Sequence, residues 1–363
     1  MRGEMQEALA RVGWNDRCEA LFGPYAEQGL TPARVIRGDR GSVLTATPED
    51  AVVRAAPAAR LLKSARGALD LPTVGDWVAV RDTDAIDVPQ IEAVLPRTSA
   101  ITRGDPGDGS DVQVLAANVD TVFVVHPIAE EPNLRRLERE LALAWDSGAV
   151  PVIVLTKADL SAAPDAARAA VESIALGVDV LTVNALAGER LAPLRDVLSG
   201  QRTAVLLGPS GAGKSTLANA LLGDGRQETG AVRAGDQRGR HTTVARELLA
   251  VPGGGVLIDT PGLRALGLTG SEEGIALAFT DIDELAAGCR FRDCAHEDEP
   301  GCAVRAAVDA GALPPERLTS YRKLMREAEV AAARTDARLR GEQDRRAKTI
   351  SKAVKDYYRL HPR

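Results

Sequence analysis

A stretch reading GPSGAGKST, Gly208–Thr216, limits what this chain can fold into more than any other feature. It satisfies G-x-x-x-x-G-K-[S/T] with Gly208, Gly213, Lys214 and Ser215 in the required places. An apolar run from Thr203 to Leu207 precedes it, and a helical pattern of Leu217, Ala220 and Leu221 follows. That strand–loop–helix setting is what a phosphate-cradling loop requires. Glycines let successive backbone N–H groups turn inward, and the helix N-terminus adds its positive end. Gly208, Pro209, Ser210, Gly211, Ala212, Gly213, Lys214, Ser215 and Thr216 are therefore expected around a nucleoside triphosphate. Lys214 is expected to reach the β- and γ-phosphates, and the Ser215 hydroxyl to ligate Mg²⁺.

A chain of 363 residues exceeds one ordinary core, so two or three domains are expected. Hydrophobic residues make up 45% but aromatics only 3%, so Ala, Val and Leu must fill the cores. A net charge of −6 excludes a generic polyanion binder and makes any basic surface local. No apolar run reaches the roughly 18 residues of a membrane span, and no basic-then-apolar leader opens the sequence. The expected location is the cytosol, without membrane contact.

Residues 1–30 mix Ala, Leu and charge with an apolar set of Trp14, Phe22 and Tyr25, and read as short helices. Short β-like runs follow at 34–37, 42–45, 51–54, 76–80 and 91–95, separated by Gly- or Pro-bearing turns. Five such runs over 31–105 predict a small closed barrel of the oligonucleotide-binding (OB) type. Residues 31–66 hold seven Arg/Lys against three Asp/Glu, a net of +4 that fits either an RNA-facing or an ordinary solvated surface. The Gly/Asp-rich segment 103–110 reads as a linker. Beyond it, apolar strands at 119–125, 150–155, 178–183, 203–207 and 255–258 alternate with helical stretches, predicting an α/β domain over 106–270. Near-continuous β-branched runs of this kind form parallel sheets covered on both faces. Residues 271–363 read as a helical C-terminal domain interrupted by a cysteine cluster, with 14 Lys/Arg against seven Asp/Glu over 316–363.

Further nucleotide-binding pieces sit at predicted carboxyl ends of strands, where α/β sheets bind ligands. Thr156, Lys157, Ala158 and Asp159 form a T-K-x-D tetrapeptide after the run ending at Leu155. The Asp159 carboxylate suits the N1–H and N2–H of guanine, a pair adenine lacks. Asn184 and Ala185 end the next strand, where a backbone N–H is expected at the guanine O6. Asp259 and Gly262 belong to a D-T-P-G motif, Asp259 for Mg²⁺ and Gly262 for the γ-phosphate. Between loop and motif lies G-R-H-T-T, residues 239–243, in the place of a first switch, with Thr243 expected on Mg²⁺. Leu263 stands where Ras-like enzymes carry a water-orienting Gln, and it cannot orient water. His241 is the candidate for that task; packing or partner contact is the alternative role.

In ordinary GTPases the base motifs come last. Here they come first, at 156 and 184, before the pieces at 208, 243 and 259, so the domain is circularly permuted. Domain termini lie at the surface and often close together, which makes such a permutation tolerable.

Cys289, Cys294, His296 and Cys302 bring three thiols and an imidazole into fourteen residues. That is a closed Cys₃His set of the structural zinc type, one ion per chain, rather than buried free thiols. Cys18, alone in a helical stretch, reads as a small core residue.

The permuted order, G-x-S-G-x-G-K-S-T, G-R-H-T-T, D-T-P-G and the cysteine cluster together resemble the bacterial ribosome small-subunit-dependent GTPase family. The resemblance covers roughly residues 31–330. It implies an OB-type barrel, a circularly permuted P-loop GTPase and a zinc domain. It also implies GTP hydrolysis to GDP, a role late in maturation of the small ribosomal subunit, and rRNA as partner. A histidine at the place of His241 is implied to assist catalysis, beside Lys214 and Thr243. Thr156 departs from the Asn usual in the family. Residues 1–30 and the extended tail lie outside the resemblance. A monomer is expected. Two rival readings are an assembly factor in which nucleotide only sets affinity, and a P-loop kinase or ATPase with a metal module. Asp159 and the lack of a phosphoacceptor motif weigh against the latter.

Overall fold

The computed structural model describes residues 7–39, 41–49, 51–65, 67–81, 88–104, 112–223, 246–259 and 272–332. A helical turn at 7–10 and helix α1 (Asp16–Ala26) open the chain. The Asn15 side chain caps α1 by accepting the Cys18 N–H at 3.1 Å. Strands β1 (Thr31–Asp39), β2 (Ser42–Ala46), β3 (Val52–Pro57), β4 (Trp77–Arg81) and β5 (Gln90–Val94) follow, with helix α2 (Ala59–Ser64) between β3 and β4.

These strands pair β1–β2, β2–β3, β3–β5, β5–β4 and β4–β1. The ring closes, so the predicted five-stranded barrel is present. Its interior holds Ala33, Val35, Val43, Ala55, Val78, Val80 and Ile91. Trp14, Cys18 and Phe22 of the N-terminal segment pack with Trp77 and Leu95 of the barrel. Trp14 meets Trp77 edge-to-face with centroids 4.8 Å apart. Residues before the barrel thus complete its packing, and Cys18 is the core residue expected.

Strands β6 (Ala100–Gly104) and β7 (Val112–Ala117) form an antiparallel pair. The first two residues of the segment read as a linker, Arg103 and Gly104, belong to β6, and 105–110 lie outside the described residues. The expected domain boundary at residue 105 lies outside the described residues, between β6 and β7 in sequence.

The second sheet contains β8 (Thr121–Pro127), β9 (Val150–Thr156), β10 (Val180–Thr182), β11 (Thr203–Leu207), β12 (Glu247–Ala250) and β13 (Val256–Asp259). Its order is β10-β9-β8-β11-β13-β12, parallel except for the antiparallel β12. Strand β12 also touches β1 at Arg37 opposite Glu247, so barrel and sheet share one hydrogen-bonded network. Alternate residues face opposite ways. Val122, Val124, Ile153, Leu155, Val205, Leu207, Val256 and Ile258 enter one core. Phe123, Val125, Val152, Val154, Ala204, Leu206 and Leu257 enter the other. Each fully buried aliphatic side chain contributes about 1.5–3 kcal/mol.

Helices α3 (Leu134–Asp146) and α4 (Pro164–Glu172) cover the first face. Helices α5 (Ala192–Leu198) and α6 (Lys214–Leu222) cover the second. Then come α7 (Glu273–Ala278), α8 (Thr280–Ala286), α9 (Ala303–Asp309) and a helix over 315–332, α10. Helix α7 packs tightly on α3: a Cβ added at Gly274 would lie 2.5 Å from the Ala142 carbonyl oxygen. Buried Arg317 of α10 donates Nε and Nη2 to Asp281 at 2.6 and 2.7 Å and Nη1 to Glu138 of α3 at 3.0 Å. Its guanidinium also stacks on Phe279 at 4.7 Å. The C-terminal helices are thereby fastened to the GTPase-like sheet. Among the described residues no helix is long and apolar enough to cross a membrane.

Candidate nucleotide site and metal centre

Strand β11 carries the chain to Gly208, whose φ is +145°. A Cβ there would collide with the Val125 carbonyl of β8, so the loop rests directly on the neighbouring strand. Gly213, φ +92°, caps α6, and Lys214 is its first residue. A non-glycine residue would be strained at either position. Lys214 Nζ donates to the Gly208 and Pro209 carbonyl oxygens at 2.8 and 2.7 Å, which folds the ammonium back over the loop. Ala212 is buried, Gly213 and Thr216 are half-buried, and Ser210, Gly211 and Ser215 are exposed along the rim.

The parallel register brings the other motifs to the same sheet edge. Pairing of Pro127 with Thr156, Thr182 with Leu155, and Val205 with Ile258 aligns their loops beside Gly208. Thr156 is buried, and its hydroxyl donates to the Ala212 carbonyl at 2.6 Å. The base tetrapeptide is thus bonded to the phosphate loop. Lys157 adopts a left-handed φ of 58°, after which Ala158–Leu160 forms a 3₁₀ turn with Asp159 exposed. Asn184 anchors the adjacent loop. Its backbone bridges to Glu189, and its Oδ1 accepts the Ala187 N–H at 3.2 Å. Ala185 is half-buried beside it.

Asp259 ends β13 opposite Glu247. Burial first, and then the Glu247 charge, raise its carboxyl above the ordinary Asp range. A divalent cation at the loop would oppose both effects. Ser215 and Asp259 are the described residues suited to such an ion. His241, Thr243 and Gly262 lie outside the described residues.

The sequence did not point to a buried polar group beside the loop. His126, the residue after Val125, is 3% exposed, and its Nδ1 has no partner among the described residues. Burial, reinforced by Arg136, lowers its pKa to about 4, so it is neutral at physiological pH. Glu140 of α3 accepts Arg136 Nε at 2.9 Å. Burial raises its carboxyl pKa, while Arg136 and Lys214 oppose the shift. A lone His and a helical Arg/Glu pair carry no motif, so only the fold brings them to the loop.

In the C-terminal region the ligand atoms of Cys289, Cys294, His296 and Cys302 all lie within 4.8 Å of one another. Cys289 and Cys302 sulfurs are 3.9 Å apart, and they stand 3.7 and 3.5 Å from His296 Nδ1. The cluster is built at a helix start: Cys302 caps α9, and its sulfur accepts the Arg305 N–H at 3.4 Å. Burial, then the neighbouring Cys302 and Cys289 sulfurs, push the Cys294 thiol up to about 12. Three thiolates cannot coexist here without a cation, and the four groups together form a set that can hold one metal ion.

Known proteins agree with this arrangement. Residues 94–269 match the RsgA GTPase family. A Streptomyces coelicolor protein named small ribosomal subunit biogenesis GTPase RsgA is 52% identical over 340 residues, 92% of this chain and 90% of its own. A protein of the same name from Opitutus terrae is 47% identical over 93% of this chain and 94% of its own. The crystal structure of YjeQ from Thermotoga maritima superposes with a TM-score of 0.62 at 25% identity, covering 82% of this chain and 98% of that one. YloQ, described as a circularly permuted GTPase, superposes with a TM-score of 0.59 at 24% identity, covering 83% of this chain and 95% of its own, and shares the fold. By its permuted strand order, its phosphate loop and its 52% identity over 340 residues to such a relative, this chain belongs to the RsgA GTPase family.

Proposed function

We propose that this protein hydrolyses GTP to GDP and phosphate during late maturation of the small ribosomal subunit, and that the subunit stimulates its turnover. The observation that carries the nucleotide reading is the convergence of the 156–160, 184–188, 208–214 and 259 loops on one sheet edge, with Thr156 bonded to Ala212. Lys214 would neutralise the β- and γ-phosphates, and Ser215, Thr243 and Asp259 would surround Mg²⁺. Asp159 would read guanine, with Lys157, Ala158, Asn184 and Ala185 shaping the base pocket and Gly262 meeting the γ-phosphate. His241 would orient the attacking water.

The metal at the Cys₃His set is proposed to be zinc, one per chain. A zinc tetrahedron with Zn–S about 2.3 Å and Zn–N about 2.05 Å has edges of roughly 3.8 Å between sulfurs and 3.6 Å from sulfur to nitrogen. The distances of 3.9, 3.7 and 3.5 Å fit that figure, with His296 Nδ1 as the nitrogen ligand. Its role is structural, as no open position remains.

The working division of the chain is a helical extension (1–30), a barrel (31–105), a permuted GTPase (106–270) and a metal-bearing helical region (271–363). Barrel and C-terminal region would grip rRNA phosphates, with Arg54, Arg60 and Lys63 exposed on the barrel side. The protein would act as a monomer. The relatives' shared name motivates the choice of partner. GTP turnover with and without purified small subunits tests it: intrinsic hydrolysis on the order of 10⁻⁴ to 10⁻² s⁻¹ is expected without a positioned Gln, and a marked rise with subunits. Equal rates in the two conditions would sink the reading.

A further inference from the structure

Arg34 is among the largest fully buried side chains, 1% exposed, although it sits in a segment whose charge suggests an RNA-facing surface. On β1 its neighbours Ala33 and Val35 point into the barrel, so Arg34 points out of it. It emerges into the junction between three parts of the chain. Its Nη1 donates to the Val12 carbonyl of the N-terminal segment. Its Nε donates to the Gly75 carbonyl before β4 at 3.3 Å. Its Nη2 donates to the Asn118 carbonyl at 3.4 Å and to Thr203 Oγ1 at 2.8 Å. Trp77 stacks on the guanidinium with its centroid 5.0 Å away.

Thr203 is the first residue of β11, the strand that ends at the phosphate loop. Its backbone N–H is held by the Asp120 carboxylate at 2.7 Å, and its carbonyl accepts the Asp120 N–H at 2.8 Å. Asn118 and Asp120 immediately precede β8, on which Gly208 rests. Arg34 therefore binds the feet of both strands that set the loop's position. From Thr203 to Gly208 the strand spans about 17 Å of extended backbone.

A buried guanidinium in contact with carbonyls and a hydroxyl is a costly way to obtain stability, since a packed apolar residue serves as well. What it supplies instead is orientation: a planar fork that reads acceptors on four segments at once. Burial lowers its pKa to about 10, with Asp120 opposing, so it keeps its charge at physiological pH.

We propose that Arg34 is a positioning residue that fixes the barrel to the foot of the phosphate-loop strand, so that engagement of the barrel by the small subunit is transmitted to the loop. This rests on the subunit-stimulated reading above.

The test compares wild type, Arg34→Lys and Thr203→Val in GTP turnover with and without purified small subunits, alongside thermal unfolding. Lysine keeps the charge but loses the fork. Valine keeps the β-branched strand residue and removes only the hydroxyl acceptor. Both variants should retain intrinsic turnover and the GTP Michaelis constant, while the stimulated kcat falls about five- to tenfold. Folded variants with undiminished stimulation overturn the proposal. So does a proportional fall in intrinsic and stimulated rates, which marks a merely structural bond. If Arg34→Lys does not fold, Thr203→Val decides alone. An unstimulated wild type defeats the subunit reading and this inference together, whereas a stimulated wild type with equally stimulated variants defeats this inference only.

Discussion

The Thr156 hydroxyl donates to the Ala212 carbonyl across 2.6 Å, tying the loop that would read the base to the loop that would hold the phosphates. Thr156 stands where the resembling family usually has Asn. A shorter side chain serves here because Gly213 lies against it: a Cβ added at Gly213 would sit 3.7 Å from Thr156 Oγ1. Replacing Thr156 by Val keeps the branched shape and deletes the donor. The cost should be about 1 kcal/mol, a roughly fivefold rise in Kd for GTP and GDP alike. Calorimetric titration with both nucleotides checks this. A change in GTP affinity with none in GDP affinity would assign Thr156 to the γ-phosphate side instead.

Guanine selectivity should reside in Asp159, exposed on its 3₁₀ turn at the base side of the site. Asp159→Asn should move preference from GTP towards XTP, because xanthine replaces the N2 donor with an acceptor that an amide NH₂ can meet. Leaving guanine donors unpaired should cost on the order of 2–3 kcal/mol. Competition binding with GTP, XTP and ATP is the measurement. Wild-type protein that binds ATP as well as GTP contradicts the assignment.

Much of this architecture was legible in the sequence, and the exceptions share a cause. The strands β8, β9, β11 and β13 announce themselves because both faces are buried and their central positions are apolar. Strand β12, reading Glu-Leu-Leu-Ala, is too short and too rich in helix-favouring residues to signal a strand; pairing with β13 decides it. Strands β6 and β7 were hidden by the Gly/Asp-rich segment between them. Arg34 is the clearest failure of local reading. In an alternating strand an Arg between Ala and Val reads as solvent-facing, yet Thr203, 169 residues away, buries it. The seven basic residues of 31–66 thus overstate the charge available to RNA by at least one. Short-range patterns describe one face at a time, and domain junctions fall outside them.

Metal removal should act locally. The four ligands lie within one short segment, and Cys302 also starts α9, so loss of the ion should loosen 289–309 while the parallel sheet survives. Elemental analysis should find one zinc per chain in protein purified without added metal. Cys294→Ser should lower the zinc content and expose the region beyond residue 280 to protease, with GTP affinity nearly unchanged. A zinc-free protein whose C-terminal region resists protease would refute the structural-zinc assignment.

His241→Ala should lower subunit-stimulated turnover while leaving GTP affinity close to wild type, since an imidazole acting on water contributes little to ground-state binding. A drop of about 10²-fold or more is the scale of a lost general base. Should affinity and turnover fall together, His241 belongs to nucleotide binding or to folding of its segment. Steady-state rates and nucleotide titrations on the same preparation separate the two.

Subunit affinity and GTP affinity should respond differently to salt. Basic charge outside the nucleotide site is concentrated in 31–66 and 316–363, and contacts to RNA phosphates release counterions when they form. Each such contact steepens the fall of affinity with salt, so raising salt from about 50 to 200 mM should cost subunit binding tenfold or more if several phosphates are engaged. GTP would be held by a loop of backbone donors with Lys214 and an ion close by, and its Kd should change far less. Deleting the barrel or the tail beyond residue 332 should abolish stimulation and flatten the salt dependence, whereas intrinsic turnover should persist because the phosphate-loop motif, 208–216, belongs to neither segment. For the barrel, Arg34 and Trp77 make full deletion risky for folding, so the exposed pair Arg60→Ala/Lys63→Ala is the milder arm. Subunit sedimentation across a salt series, with nucleotide binding followed in the same buffers, gives both slopes. Identical slopes for nucleotide and subunit would mean that the basic segments do not form the RNA grip.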